Sequence, residues 1–427
     1  MQFERPGGLP GQGRAGGSLT SLVLIWLALA TGLMVFLTAV RLPLSLCILA
    51  ALVIFGLLAL GPKGFAGCLW NGLVDLELWD VVVSVALIAV LGTVMRELGQ
   101  VDDITGGLRA LGLEGRGLIA VGSATFGLLP IPGGAALSAS LVEEEGRSHG
   151  MDARGPAIAN LLFRHLNFFA YPLSPTLILL ASPRMLNVSI YLLIAALLPA
   201  ALAHLAASYV VSFCRLPQAG PSEKREPEAP ASKGGAFLKL MRGLAPILVA
   251  PVLNALGLSL TPAVCGSLLA SLLLAHRRDR EVLARAARGL RKSKAHSLAV
   301  PVLFALLFRD AFKASGASEA LRALLSRVPL PELLALTLLC LALGLMTGSA
   351  MLSITVLPSG LSLAEVLPIY TGAVVGYVIS PLHLCFIISA EYFGLRQAEM
   401  YPRLAVYAVL TSAASLLAAW ALMPFLG

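Results

Sequence analysis

The chain has 427 residues, 58% of them hydrophobic and only 13% charged, with a mean hydropathy of +0.86. Uncharged runs of about 20 residues, long enough to cross the hydrocarbon core of a bilayer, recur from Ser18 to the end and define an all-α polytopic membrane protein. In that setting the net charge of +8 reflects loops held on the cytoplasmic side by the positive-inside rule, not a nucleic-acid surface.

The Gly-rich start, MQFERPGGLPGQGRAGG, reads as a disordered tail over residues 1–18. The first apolar run, Ser18–Val40, is too long for a signal-peptide core and shows no small-residue cleavage site. Apolar segments follow at 43–61 and 79–95, then an amphipathic stretch, Arg96–Arg116. Residues 117–142 hold GLLPIPGGAALSAS, where Pro130, Pro132, Gly133 and Gly134 interrupt an otherwise apolar segment. At about 26 residues it is too short for two spans and too broken for one, which predicts two half-helices in a re-entrant hairpin. Apolar stretches at 155–182 and 187–213 complete the first half, 19–214. A Pro-, Glu- and Lys-rich segment over 215–236 reads as a cytoplasmic linker.

After the linker the order begins again over 237–427: segments at 237–257 and 259–275, a basic stretch from His276 to Lys294, then 297–313, a second hairpin near 331–358, and segments at 364–391 and 403–426. Arg96-Glu97 corresponds to Arg309-Asp310, GGAALS (133–138) to GSAMLS (348–353), and Ser174-Pro175 to Ser380-Pro381. Three matches in one order, at offsets of about 206 to 215 residues, predict two repeats. Each half carries five full crossings, about ten transmembrane helices in all, and an odd number inverts the second half. The cations on the linker side then put both termini outside a cell inner membrane. Val282, Leu283, Ala286, Ala287 and Leu290 recur at helical spacing among arginines, which predicts an amphipathic helix on anionic lipid.

Broken backbone at membrane depth leaves peptide groups unpaired unless it is buried in protein or lines a wet cavity. Matched breaks in inverted repeats are where secondary transporters hold substrate and ions. Four breaks are therefore candidate sites: Pro132–Ser138, Thr347–Ser353, Tyr171–Thr176 and Ile379–His383. Gly133, Gly134 and Gly348 permit close backbone approach, and Ser138, Ser174, Ser349, Ser353, Ser380, Thr176 and Thr347 offer hydroxyl ligands. The alternative for each hydroxyl is a bond back to its own helix. In NLLFRHLNFFAYPLSP, Arg164 falls about 13 Å into a span that starts near Gly155, which puts it, His165 and Asn167 near the midplane. Arg164 and Asn167 suit an anionic substrate; His165 and His383, with Pro132, Thr176 and Thr347 at the breaks, suit a coupling ion. Arg164 could instead snorkel or pair internally. Arg96-Glu97 and Arg309-Asp310 read as ion pairs bracing the hairpins. The six cysteines are scattered without metal-ligand spacing, so neither a metal nor another cofactor is expected.

These residues carry a resemblance. LLPIPGGAALSAS, the hairpin-then-broken-helix order and the paired halves resemble a family of prokaryotic integral membrane proteins in the ion transporter superfamily. The divalent anion:sodium symporters, citrate transporters and gluconate permeases belong to the same superfamily. The resemblance implies an elevator-type transporter, a homodimer in which a mobile domain holds both hairpins. The hairpin tips here lack the Ser-Asn-Thr of the sodium-coupled dicarboxylate carriers. The expected function is secondary active transport of a small organic anion, a carboxylate, coupled to Na⁺ or H⁺. Two alternatives remain open: a membrane subunit of a multi-component transport system, or an intramembrane enzyme. The second has neither an HExxH nor a GxSxG motif behind it, only an imaginable Ser138–His165 dyad.

Overall fold

The computed structural model describes residues 12–40, 42–128, 134–214, 233–276 and 281–426. Those residues form helices and connecting turns, with no strand among them. In the first half the helices are α1 (Gln12–Ala39), α2 (Leu44–Val74), α3 (Leu76–Glu97), α4 (Gln100–Ala110), α5 (Gly115–Gly127), α6 (Gly134–Ser148), α7 (Arg154–Arg164), α8 (Asn167–Ala170), α9 (Pro175–Ala181) and α10 (Ile190–Phe213). The second half holds α11 (Lys233–Ala255), α12 (Leu260–His276), α13 (Val282–Lys292), α14 (His296–Ala314), α15 (Ala317–Leu325), α16 (Glu332–Thr347), α17 (Ala350–Thr355), α18 (Leu363–Ile379), α19 (Leu384–Tyr392) and α20 (Gln397–Leu426).

Among the described residues, seven spans are long and apolar enough to cross a membrane, and an eighth if α13 and α14, bent by 48° at their junction, count as one. Two of the ten expected crossings fall short. α12 has 17 residues, and the stretch 155–182 is cut into α7, α8 and α9. The tail expected over residues 1–18 is helical from Gln12, while residues 1–11 and most of the linker lie outside the described residues.

Helix packing sorts the chain into two groups. α2 to α4 pack with α11 to α14 (α2 on α14, α4 on α11, and α3 on α12, α13 and α14), while α1 packs on α2, α15 and α16. α5 to α10 pack with α16 to α20, chiefly through α16 on α18, α20 on α10 and α18, and α7 on α5, α6 and α10. Large apolar side chains on α1, α11 and α20, among them Phe36, Phe237, Val252, Val409 and Trp420, are exposed. By contrast every residue of α7 from Gly155 to Arg164 is buried. Apolar exteriors around a buried, polar-bearing helix are the arrangement a bilayer selects.

α16 and α18 meet along a seam of small residues. A Cβ at Gly344 would lie 2.5 Å from the Ala373 carbonyl oxygen, one at Gly372 would lie 2.6 Å from that of Thr337, and one at Gly376 would overlap that of Leu341. Glycines four apart on α18 thus let two backbones touch, the device that replaces hydrophobic attraction between helices in lipid. α18 itself begins with a capping box, Ser362 and Glu365 satisfying each other's backbone amides.

The basic stretch forms α13 as expected. Its Val282 and Gly289 are buried, with Gly289 against α3, while Leu283 and Leu290 face outward. Lys292 reaches Glu97 at 2.8 Å, Arg288 approaches it at 3.8 Å, and Arg285 Nε donates to its carbonyl at 2.6 Å. Glu97 therefore anchors α13 rather than a hairpin. Its counterpart Asp310 accepts two hydrogen bonds from Arg184, which also pairs with Asp75 at 2.6 Å. Arg309 lies closer to the expected brace: it is buried and donates to the carbonyls of Thr355, the last residue of α17, and Leu357.

Candidate functional site at the helix breaks

The described part of the first hairpin is α5 and α6, packed against each other; Pro132 and Gly133 lie outside the described residues, and Gly134 opens α6. The C-terminal end of α5 sits on the end of α7. A Cβ at Gly127 would collide with the Arg164 carbonyl, so only glycine allows this approach. Asn167, just past the α7 break, donates from Nδ2 to the Gly127 carbonyl at 2.8 Å, satisfying an acceptor that the end of α5 leaves open.

Arg164 is the last residue of α7 and is buried. Its Nη1 donates to Ser138 Oγ at 3.0 Å, and its guanidinium also interacts with Cys385 and Tyr377. It does not snorkel. One turn earlier Asn160 donates from Nδ2 to the Ala135 carbonyl at 3.2 Å and to Ser389 Oγ at 3.0 Å. Asn160 thereby ties the first turn of α6 to α19 in the other half. Arg164 spans the same three elements, so an anion arriving beside it would meet the positive end of the α6 dipole as well.

His165 follows at the C-cap of α7, with its Nδ1 2.6 Å from the Leu161 carbonyl. His383 is the N-cap of α19, with its Nδ1 3.3 Å from the Val378 carbonyl. A carbonyl only accepts, so each ring carries its proton on Nδ1 and presents a bare Nε2 lone pair. The two rings lie 4.7 Å apart centre to centre, and the Tyr377 ring lies 4.0 Å from His383 and 5.4 Å from His165. The imagined serine dyad has a different arrangement: Ser138 faces Arg164 and the Ala135 carbonyl, while His165 Nδ1 is turned to its own helix.

At the second hairpin, α16 ends on Gly348 in the left-handed conformation (φ 62°), which glycine adopts without strain. Ser349 then caps α17 by accepting from the Leu352 amide. Gly348 lies against Leu382 and His383, so the second tip touches the Ser380–His383 break. Ser380 Oγ donates across to the Leu345 carbonyl at 2.6 Å. Thr347 and Ser353 bond back to their own helices, on the carbonyls of Leu343 and Ser349, and Ser138 makes a similar local bond. Ser174 is buried, and its Oγ has no hydrogen-bond partner among the described residues. It caps α9, which carries Thr176 and packs on α3, α10, α14 and α17.

Two of the four breaks therefore converge with the start of α6. Ser138, Arg164, His165 and Asn167 join Ser380, His383 and Gly348 in one connected region, and Ser174 and Thr176 stand on α9 outside that hydrogen-bonded set. Asn160, Tyr377, Cys385 and Ser389 belong to the region and were not singled out from the sequence. Asn160 had a legible signal, one turn before Arg164 on the same face. His204, also missed, is a core residue: it bonds Tyr407 Oη at 2.8 Å and the Leu162 carbonyl at 2.9 Å, tying α10, α20 and α7 together.

No curated protein matches the chain. The family model described as "Protein of unknown function (DUF401)" matches residues 20–422, a range that takes in both hairpins and every break described above, and the chain belongs to that family.

Proposed function

We propose that this protein is a secondary active transporter of a small organic anion, a carboxylate, coupled to Na⁺ or H⁺, and a member of the ion transporter superfamily. The observation that carries the reading is Arg164: a buried guanidinium held at a helix end, beside the first turn of α6 and against a residue of the opposite half. A charge kept inside an apolar bundle costs several kcal/mol, which its hydrogen bonds only partly offset, and such residues mark ligand or ion pathways. In this reading Arg164 and Asn160 receive the carboxylate, with Ser138 completing the donor set. Ser380, Ser349 and Thr347 offer oxygens to sodium, while His165 and His383 are the groups that would carry a proton.

The elevator reading draws support from the two packing groups. α2–α4 with α11–α14 form the fixed scaffold, and α5–α10 with α16–α20 form the mobile body that carries both hairpins. A homodimer joined through scaffold helices is part of the same reading. The inverted repeat draws support from the two ion networks. Asp75 and Glu97 bound opposite ends of α3, about 33 Å apart at the helical rise, so the Arg184–Asp75–Asp310 and Glu97–α13 clusters belong to opposite faces. The α13 face, with Arg109, Arg147 and Arg154, is the cytoplasmic one by its positive charge, and both termini are outside.

The purified protein alone in liposomes is expected to take up a radiolabelled carboxylate under an imposed Na⁺ or proton gradient. No uptake of any small carboxylate under either gradient refutes the proposal. Topology has its own check, in a background with Cys214 and Cys265 replaced by serine. Cysteines at Asp152 and Ser326, both exposed, are expected to react with an impermeant maleimide from opposite sides of the membrane. Labelling of both from one side refutes the inversion.

A further inference from the structure

We infer that His165, His383 and Cys385 form a binding site for a soft, closed-shell metal cation, Cu⁺ or Zn²⁺. One ligand atom from each residue lies within 4.8 Å of the others. A filled trigonal set, with bonds of about 2.0 Å to nitrogen and 2.3 Å to sulfur, would bring them to about 3.5–3.7 Å, a closure of roughly 1 Å. Small side-chain rotations cover that distance.

Two independent features point to a ligand. First, both imidazoles are arranged as metal-binding histidines are, with Nδ1–H engaged by a backbone carbonyl and the Nε2 lone pair left for the cation. Second, His383 Nε2 is buried with no hydrogen-bond partner among the described residues, although a buried nitrogen without a partner is costly. The Arg164 guanidinium also hydrogen bonds the third member, Cys385, and holds it beside the two rings. Thiolate with imidazole selects soft cations over Na⁺, Mg²⁺ or Ca²⁺, which take oxygen donors.

Charge separates the two candidates. Cu⁺ with one thiolate and two neutral imidazoles leaves the centre neutral beside Arg164. Zn²⁺ leaves it with one positive charge and an open fourth position, which an anion held by Arg164 would fill. The inference rests on the placement of three side chains from the two halves of the chain and holds whether or not the protein is a transporter.

The test is a metal titration of the full-length protein in detergent, with Zn²⁺ against a chromophoric chelator and with Cu⁺ against a Cu⁺-selective chelator under anaerobic reduction. One tightly bound cation per chain is expected. Cu⁺ is expected to bind without added anion, and Zn²⁺ at least tenfold more tightly with a carboxylate present. Cys385→Ser and His383→Ala should each weaken binding by 100-fold or more, and Cys340→Ser, a buried thiol outside the cluster, should leave it unchanged. X-ray absorption at the metal edge of the wild-type protein should report one sulfur and two nitrogens, which keeps the inference testable if a variant fails to fold. Absence of stoichiometric binding by either cation overturns it. So does a coordination shell without sulfur, or binding that survives Cys385→Ser in a folded variant.

Discussion

At the end of α7 the chain breaks beside Arg164, His165 and Asn167. If the Ser174–Ser380 match is extended back along the sequence, Tyr370, Thr371 and Ala373 on α18 fall opposite them, and α18 stays helical until Ile379. In the first half the guanidinium and the two amide side chains are met by Ser138 and by backbone carbonyls at helix ends. In the second half Tyr370 Oη donates to the Phe168 carbonyl and Thr371 bonds back to Leu367, so the polar atoms are satisfied without ending the helix. The contrast has a physical origin. The end of α5 leaves carbonyls without an intrahelical donor, and Asn167, just past the break in α7, satisfies that of Gly127.

The comparison can be broken most directly at Arg164. Arg164→Ala is expected to reduce uptake to that of empty liposomes while the protein elutes as a single species. Arg164→Lys should retain a small fraction, because an ammonium keeps the charge without the planar fork. Full uptake by Arg164→Ala would remove the arginine from the site. Next in size are the close approaches of the two halves. Gly127→Ala and Gly376→Ala each force a methyl against a backbone carbonyl, and each should cost about 1–3 kcal/mol in thermal unfolding. Equal losses would mean that both halves pack hairpin on span by the same means. The smallest effect belongs to Tyr370→Phe, which removes one buried hydrogen bond. It should cost about 1 kcal/mol and leave uptake within about twofold. A large loss of uptake there would show that the second half contributes to the site at this level too.

Proline and glycine made most of this architecture legible in advance. Tyr171–Ser174, Gly348–Ser349 and Ser380–His383 are non-helical where Pro172, Pro175, Gly348 and Pro381 predict it. The same signal holds at Gly61-Pro62, where the segment expected to end at 61 breaks at a kink (φ 68°, ψ 169°). The helix then resumes to Val74. The hydroxyls were ambiguous in the sequence and proved mixed: Ser138 meets Arg164, Ser380 reaches a neighbouring helix, and Thr347 and Ser353 bond locally. Cys385 was invisible because His165 and Arg164 reach it from the other half, and only His383 lies on its own segment. Ligand spacing along one segment cannot reveal a set that only tertiary packing assembles. The hairpin braces were misjudged for a related reason, since Glu97 and Asp310 found their cations on α13 and beyond α9, far along the chain.

The seam between α16 and α18 bears on how fast the protein can work. Backbones in contact through Gly344, Gly372 and Gly376 leave no room for one helix to slide on the other, and Gly348 presses the hairpin tip onto Leu382. The second hairpin is therefore a poor lid: it cannot swing without carrying the whole of α18 and the Ser380–His383 break. Any opening on this side would be collective, on the microsecond-to-millisecond scale, not the nanosecond flicker of a free loop.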